Sequence, residues 1–557
     1  MKRAHIIDIV SQVFRFRIVA LISLCAGSMV SIAVAKNEPP ARLMSGLGDV
    51  HHPVSTKNSQ AQQFFDQGLR LVFGFNHDEA RKSFQRAAEL DPKLAMAWWG
   101  VSLTLGPNYN LPVDPEREKA GYDAAQRAVA LKPNASESER AYIDAVAVRY
   151  SNDPKADLHQ LDVTYKDAMS KLAARYPDDL DAVTLYAESA MNLNPWKLWT
   201  ADGKPAEGTE EIVATLESVL KRDPNHLGAN HYYIHAVEAS LHPERALPSA
   251  ARLEKLAPAE GHLAHMPAHI YARVGDHFAS AHCNEAAIAA DKKFLAETHD
   301  EGVYKLMYYS HNMHFLAFAS CMNGNLAEAK DAAAKLVTNV APGVKAMPDL
   351  EGFLPTPMIV LAAFERWADL IKTPAPDSSF VVTTAVWHSL RGVAFANSGK
   401  TAEAEQEQKR FRETVAKIPA DKMYDQLNKV TAVFKIHDNF LAGVIAQSRH
   451  DENAAIELMK QAVVAEDALS YSEPPAWYPP VRPTLGRLLL ATNHSTEAEK
   501  VFRDDLERNP RDARALAGLR DCLNAQGRKY EADQIDRQYR ASWKVASAAS
   551  AASASKR

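Results

Sequence analysis

A spacing of 34 residues recurs along this chain and leaves few folds open to it. Counting from Ala61, Gly68 falls at position 8, Ala80 at 20, Phe84 at 24, Ala87 at 27 and Pro92 at 32. Near the other end, Leu485-Gly486, Ala498, Phe502 and Pro510 fall at 7–8, 20, 24 and 32 of a second frame, and Gly392, Gly399 and Ala404 fit a third. Small residues at 8, 20 and 27 let two helices approach closely. The large residue at 24 fills the gap between them, and the proline ends the second helix. One such helix pair cannot bury its apolar face alone, so neighbours must stack on it and the core grows lengthwise. The 557 residues therefore need not divide into the separate domains that about 150 residues per domain would suggest.

The pattern resembles the tetratricopeptide repeat (TPR). The resemblance implies an all-α, right-handed superhelical solenoid of antiparallel helix pairs. It also implies that the chain holds a protein or peptide partner rather than acting as an enzyme. Between the two clear frames, Lys132-Pro133, Tyr176-Pro177, Asp223-Pro224, Ala257-Pro258 and Ile418-Pro419 each close an amphipathic run. The spacing predicts roughly nine to eleven helix pairs, with no strand-period segment. Residues 1–35 read as a signal peptide, 36–58 as an extended lead-in, 59–545 as the solenoid, and 546–557 as an Ala/Ser-rich tail expected to be disordered.

Lys2, Arg3, Arg15 and Arg17 precede or flank the start of an apolar run over 18–30, and Ala33-Val34-Ala35 fits a small-x-small cleavage site. This predicts a bacterial signal, a mature chain starting near Lys36, and a periplasmic or secreted protein. The alternative is that the run is retained as a membrane anchor. Leu24 stands where a lipobox has a small residue, so Cys25 is not read as a lipid attachment site. No later stretch is long and apolar enough to span a bilayer, so no membrane contact is expected beyond the signal. Without the signal, Cys283, Cys321 and Cys522 remain, which is no disulfide framework and permits one bridge at most. A net charge of −5 without a long basic run gives no electrostatic footprint for nucleic acid.

Histidine is concentrated: 12 of 21 lie between His226 and His314. His231 and His235 are i, i+4; His262, His265 and His269 are i, i+3, i+7; His311 and His314 are i, i+3. Each group shares one helical face. Setting Pro258 at position 32 puts His231 and His235 at 5 and 9. One period later His262, His265 and His269 fall at 2, 5 and 9. Gly275 and Gly324 mark equivalent turns 49 residues apart, which implies about 15 inserted residues and places His311 and His314 at 2 and 5. The TPR resemblance implies that positions 2, 5, 9 and 12 of each first helix line the concave groove. Seven of the nine slots at 2, 5 and 9 are then histidine, Gly228 and Phe318 being the exceptions, and Glu238, Ala272 and Cys321 take position 12. Imidazoles suit Zn, Cu, Ni or Fe, so the seven histidines are candidate ligands for a transition metal of undetermined identity. Read without a metal, the row is a hydrogen-bonding ladder, or a site for an anionic peptide or small-molecule ligand. Pro267 is expected to start or kink the middle helix and shift His262 off its face.

Three loops, 106–110, 194–199 and 473–480, exceed the repeat and are rich in Pro, Asn and aromatic residues. They either fold over a groove or cap gaps between irregular repeats. His51-His52 read as a solvated pair and His388 as a packing residue. Ser398-Gly399-Lys400-Thr401 lacks the earlier glycine of a P-loop, and HExxH, GxSxG and GxGxxG are all missing. Cys283 and His282 are neighbours on a helix and point in different directions, which does not make a nucleophile pair. Together these features favour an extracytoplasmic binding or scaffold protein that holds a transition metal in a His-lined groove. One alternative is a metalloenzyme on the same histidines, with Glu238 as general base and Tyr232, Tyr308 and Tyr309 orienting a ligand. The other is a metal-free protein–protein adaptor with an open groove.

Overall fold

The structure is a computed structural model that describes residues 41–543. The signal segment 1–35 with its cleavage site, the start of the lead-in and the tail 546–557 lie outside the described residues. Among the described residues twelve antiparallel helix pairs follow one another, from Ser59–Phe73 with His77–Leu90 to Ala513–Ala525 with Lys529–Ser542. Among the described residues there are isolated bridges but no β-strand. The architecture is an all-α, TPR-like superhelical solenoid. It has one pair more than the upper end of the sequence expectation. The pair least visible in the sequence is a short one, Thr356–Ala363 with Trp367–Ile371, whose helices have 8 and 5 residues. Among the described residues no helix is long and apolar enough to cross a membrane, and Cys283, Cys321 and Cys522 are free and buried.

The repeat spacing works through one aromatic clamp. Phe84 is fully buried, and a Cβ at Gly68 of its own repeat or Gly100 of the next would overlap its ring. Phe502 sits in the same way between Gly486 and Gly518. The missing side chains let the backbones of two successive first helices close on one ring, which is where one repeat is fastened to the next. The Ser398–Thr401 motif is a repeat turn, as expected, with Gly399 at φ 72° leading into Thr401–Val415.

Distant repeats also touch. The helix Ser59–Phe73 packs against Leu227–Val237, so the first pair comes round to meet the fifth. At the other end Pro510 lies against Gly275, Trp543 lies against Gly324, and Arg514 donates to the carbonyls of Cys321 (3.1 Å) and Ala363 (2.9 Å). Gly275 (φ 77°) and Gly324 (φ 84°) hold left-handed turns, and these contacts leave neither of them room for a side chain.

Residues 41–58 form an extended lead-in laid along the first helices. The Ala259 amide donates to the Gly46 carbonyl (3.0 Å), Arg70 donates to that of Val50 (2.7 Å), and Ser55 donates through its amide and hydroxyl to Glu139 (2.6 and 2.5 Å). The solvated His51-His52 pair is half wrong. His51 has a side chain 61% exposed beside Asp66, but His52 is 13% exposed and donates from Nδ1 to Asp181 (2.7 Å). His226 Nδ1 accepts from the Ala229 amide (3.2 Å), so its Nε2–H is free to donate to the other Asp181 oxygen (3.2 Å). One carboxylate thus ties the lead-in to the fourth and fifth pairs.

Two expectations follow for the fold. Phe84→Ala empties the clamp and is expected to cost about 3–5 kcal/mol, measured by denaturant unfolding. A loss below about 1 kcal/mol would mean the ring is not what fastens the repeats. The His52–Asp181 tie is pH-dependent. Burial alone would lower the His52 pKa, but Asp181 overrides it and holds the pKa above the ordinary value. Burial alone would raise Asp181, and the hydrogen bonds from His226 and His52 hold it below the ordinary range instead. The His52 contribution is complete below about pH 6.5 and is lost as pH rises through its raised pKa. The Asp181 contribution is complete above about pH 4 and is lost as pH falls through its lowered one. Backbone amides over 50–58 are therefore expected to exchange more slowly at about pH 5.5 than at about pH 8.5 after correction for intrinsic rates, and Asp181→Asn should erase the difference.

Candidate metal centre

Six of the seven candidate histidines converge. His231, His235 and His262 form one set and His265, His269 and His311 another. Within each set, one ligand nitrogen per residue lies within 4.8 Å of the others. The Nε2 atoms of His231 and His262 are 3.1 Å apart, and those of His265 and His269 are 2.6 Å apart. His314 lies outside both sets, with its ring against Phe353 (5.4 Å) and Tyr478 (6.3 Å), and burial lowers its pKa to about 4. Pro267 does not displace His262. It divides the helix into Gly261–His265 and Pro267–Arg273, but Met266 between them keeps helical angles (φ −52°, ψ −36°), so the face continues. The insertion before His311 is taken up by the 22-residue helix His277–Thr298 and a π-helical turn, Tyr304–Tyr309, that feeds into Ser310–Asn323. Such turns are frequent at functional sites.

Hydrogen bonds at the outer ring nitrogens decide the tautomers. A carbonyl oxygen only accepts, so His231 donates from Nδ1 to the Phe73 carbonyl (2.6 Å) and keeps a lone pair on Nε2. Asn284 spends its NH2 on the Ser280 carbonyl (2.8 Å), so its Oδ1 accepts from His265 Nδ1 (2.7 Å). Glu238 is 1% exposed and accepts from His235 Nδ1 at Oε1 (2.9 Å) and from His269 Nδ1 at Oε2 (2.7 Å). Four imidazoles thus anchor Nδ1 outward and present Nε2 inward, the arrangement that fixes metal-ligating histidines. The His235 Nε2 lone pair is buried and has no partner in the protein, and the same holds for His262 Nδ1. Two nitrogens on one zinc ion at about 2.0–2.1 Å stand about 3.3 Å apart in tetrahedral geometry. The 3.1 Å pair matches that span. The 2.6 Å pair is the separation of a shared proton and would open by some tenths of an ångström around an ion. The His52–Asp181–Asp179 group is of another kind: there the imidazole N–H groups point at carboxylates and Tyr142 donates to Asp179 (2.8 Å), so the imidazoles act as donors to the acids and not as ligands.

The three long loops close over the histidines. Tyr109 of 106–110 lies 5.0 Å from the His235 ring, and Trp196 of 194–199 lies 5.8 Å from it. Glu473 of 473–480 reaches His269 Nδ1 beside Glu238. His437 packs edge-on to Trp477 (4.8 Å) and so holds the third loop down. Phe75 completes the wall, 4.6 Å from His231, 5.8 Å from His235 and 5.7 Å from His262. Phe75 (φ 57°) and Trp196 (φ 62°) both sit in the left-handed region, which bulky residues occupy at a cost of order 1 kcal/mol where their surroundings hold them. His231, His235, His262, His265 and His269 are each at most 2% exposed.

Burial, reinforced by neighbouring imidazoles, holds His231, His235, His262, His265 and His311 well below the ordinary histidine pKa. They are neutral at pH 7, as ligands must be. His269 differs. Burial opposes its charge, but Glu473 and Glu238 raise its pKa to about 10. Burial and the Glu238 charge push Glu473 up to about 7. Arg273 donates to the Glu238 carbonyl (2.9 Å) and lies close to both carboxylates.

Sequence reasoning missed Phe73, Phe75, Asn284 and Glu473. The first two belong to the first pair, four pairs before His231, and nothing local signals them. Asn284 lies 19 residues after His265, on the second helix of the same pair, where a polar residue facing an Ala-rich stretch is a weak signal. Glu473 lay in a loop already singled out for its composition. No protein-family model matches this chain, and no curated protein sequence matches it. Among solved structures it is similar to the human IFIT1 dimer with m7Gppp-AAAA (13% identity, 87% of this chain and 90% of that one, TM-score 0.31). It is also similar to the human IFIT1 dimer with PPP-AAAA (14%, 87% and 91%, TM-score 0.31) and to a monomeric IFIT1 mutant with Gppp-AAAA (13%, 87% and 91%, TM-score 0.32). Similarity at this level carries no argument about function.

The enclosure is open to a chemical check. Diethyl pyrocarbonate, followed by peptide mass spectrometry, is expected to modify His242 and His282, whose side chains are 73% and 81% exposed, and to spare the five buried histidines. Trp196→Ala should speed modification of His235 several-fold. Equal rates in the two proteins would show that the loops do not seal the site.

Proposed function

We propose that this protein is an extracytoplasmic scaffold that holds a transition-metal ion in the groove of a TPR-like solenoid. The observation that carries this reading is the convergence of buried imidazole lone pairs, above all the unpartnered His235 Nε2 beside His231 and His262. An unpaired polar atom in a sealed, aromatic-walled space is costly, and a cation is what an array of neutral nitrogen donors accommodates. Imidazole ligation favours Zn, Cu, Ni or Fe over Mg or Ca. Three protein nitrogens per set, with His269 giving up its Nε2 proton to the ion's arrival, leave a four-coordinate ion one place for an exchangeable ligand. The ion would supply a Lewis-acidic centre there. The chain's own residues orient the imidazoles, exclude water, and hold the Nδ1 protons on Glu238, Asn284 and the Phe73 carbonyl.

Catalysis with Glu238 as general base is the weaker reading, because both Glu238 oxygens are already taken by imidazole N–H groups. The metal-free adaptor needs an open groove over the histidines, whereas this stretch is covered by the three loops and Phe75. A protein or peptide partner therefore docks elsewhere on the solenoid. The sequence pattern over 1–35, which reads as an export signal, supports a periplasmic or secreted location.

Elemental analysis of the mature protein is expected to find near-stoichiometric Zn, Cu, Ni or Fe, lost in the His231→Ala/His265→Ala double variant. No metal in the wild type after attempted reconstitution would leave the adaptor as the reading. N-terminal sequencing of the protein from the extracytoplasmic fraction should begin near Lys36. An intact N-terminus in the membrane fraction would show instead that the apolar run is kept as an anchor.

A further inference from the structure

The second histidine set is the first one moved along by one repeat. His265 and His269 follow His231 and His235 by 34 residues each, and His311 takes the place in the seventh pair that His262 takes in the sixth. Each set is therefore built by the same rule: positions 5 and 9 of one first helix and position 2 of the next. The rule stops on either side. A set one repeat earlier would need histidine where Gly228 stands, and one repeat later would need it where Phe318 stands. Stacking repeats copy a local geometry along the solenoid, and here they have copied a ligand set once.

The two copies are in contact. The His235 and His269 rings are 5.9 Å apart and the His262 and His265 rings 6.1 Å apart. Glu238 lies between them with one oxygen on an imidazole of each set, at 2.9 and 2.7 Å. Resting on the metal reading above, we propose that the protein holds two transition-metal ions side by side, one per three-histidine set, as a dinuclear centre whose halves are joined by Glu238. An ion in either set fixes one imidazole that Glu238 orients, and so presets the carboxylate for the other. The competing arrangement is a single ion in the mixed group His235, Glu238 and His269, whose ligand atoms also lie within 4.8 Å of one another. It would strip these imidazoles of their Nδ1 protons and leave the inward lone pairs of His231 and His265 unused.

Titration of the metal-free wild-type protein with Co(II), followed by visible absorption, decides between them. Two equivalents are expected. His231→Gln/His262→Gln and His265→Gln/His311→Gln should each keep one. The wild type loaded with Cu(II) should show dipolar broadening and a half-field transition in its electron paramagnetic resonance spectrum, because the two ions lie side by side, while each double variant shows only the signal of an isolated copper. These two wild-type measurements stand by themselves if a variant fails to fold. Saturation at one equivalent, with no half-field transition, overturns the dinuclear centre and leaves the metal reading in place. No Co(II) or Cu(II) binding at all overturns both.

Discussion

The hydrogen bond from His231 to the Phe73 carbonyl joins the first helix pair to the fifth, and much of the site hangs on that closure. It fixes which His231 nitrogen carries the lone pair. It also sets Phe75, two residues on, flat against His235 and His262. Without the first repeat folded back, one side of the histidine stretch would face water and its imidazoles would solvate and titrate as ordinary ones. With it, His231, His235, His262 and His265 are neutral and enclosed.

Closure also changes what kind of repeat protein this is. A solenoid in which each repeat touches only its neighbours has a stability close to a sum of local terms, and it can fray from either end. Here the lead-in ties the first, third, fourth and fifth pairs through Gly46, Ser55 and His52, and the last pairs rest on Gly275 and Gly324. These contacts join repeats far apart in sequence, so the middle of the chain, where the histidines lie, is held from both ends. Positioning of that kind suits a ligand set, which tolerates errors of only about half an ångström.

The charges near the site show how narrow the arrangement is. Glu238 and Glu473 are buried beside His269, with Arg273 close by. Breaking a buried pair by removing one partner strands the other charge and costs several kcal/mol. Glu238 escapes that penalty because both its oxygens accept hydrogen bonds from imidazoles, and it thereby becomes the orienting group for two histidines at once. The same commitment removes it as a free base.

Much of this was legible in the chain itself. The 34-residue frame predicts helix pairs and the Phe84 and Phe502 clamps, and counting by repeat puts six of the seven chosen histidines where they meet, because helix pitch and nearest-neighbour stacking are local and regular. The three long loops stood out by composition. What lay beyond the sequence came from quantities that accumulate. The superhelical pitch is the sum of many small rotations, and it alone brings Phe73 to His231, Glu473 to His269 and His52 to Asp181. Likewise the inserted residues before His311 could be counted but not shaped: they become a long helix and a π-helical turn that feeds into Ser310–Asn323, and on that helix His311 meets the cluster while His314 packs on Phe353. Sequence determined the helices and the column of ligands. Tertiary structure decided that the column is sealed, which nitrogens face inward, and which of its members belong to it.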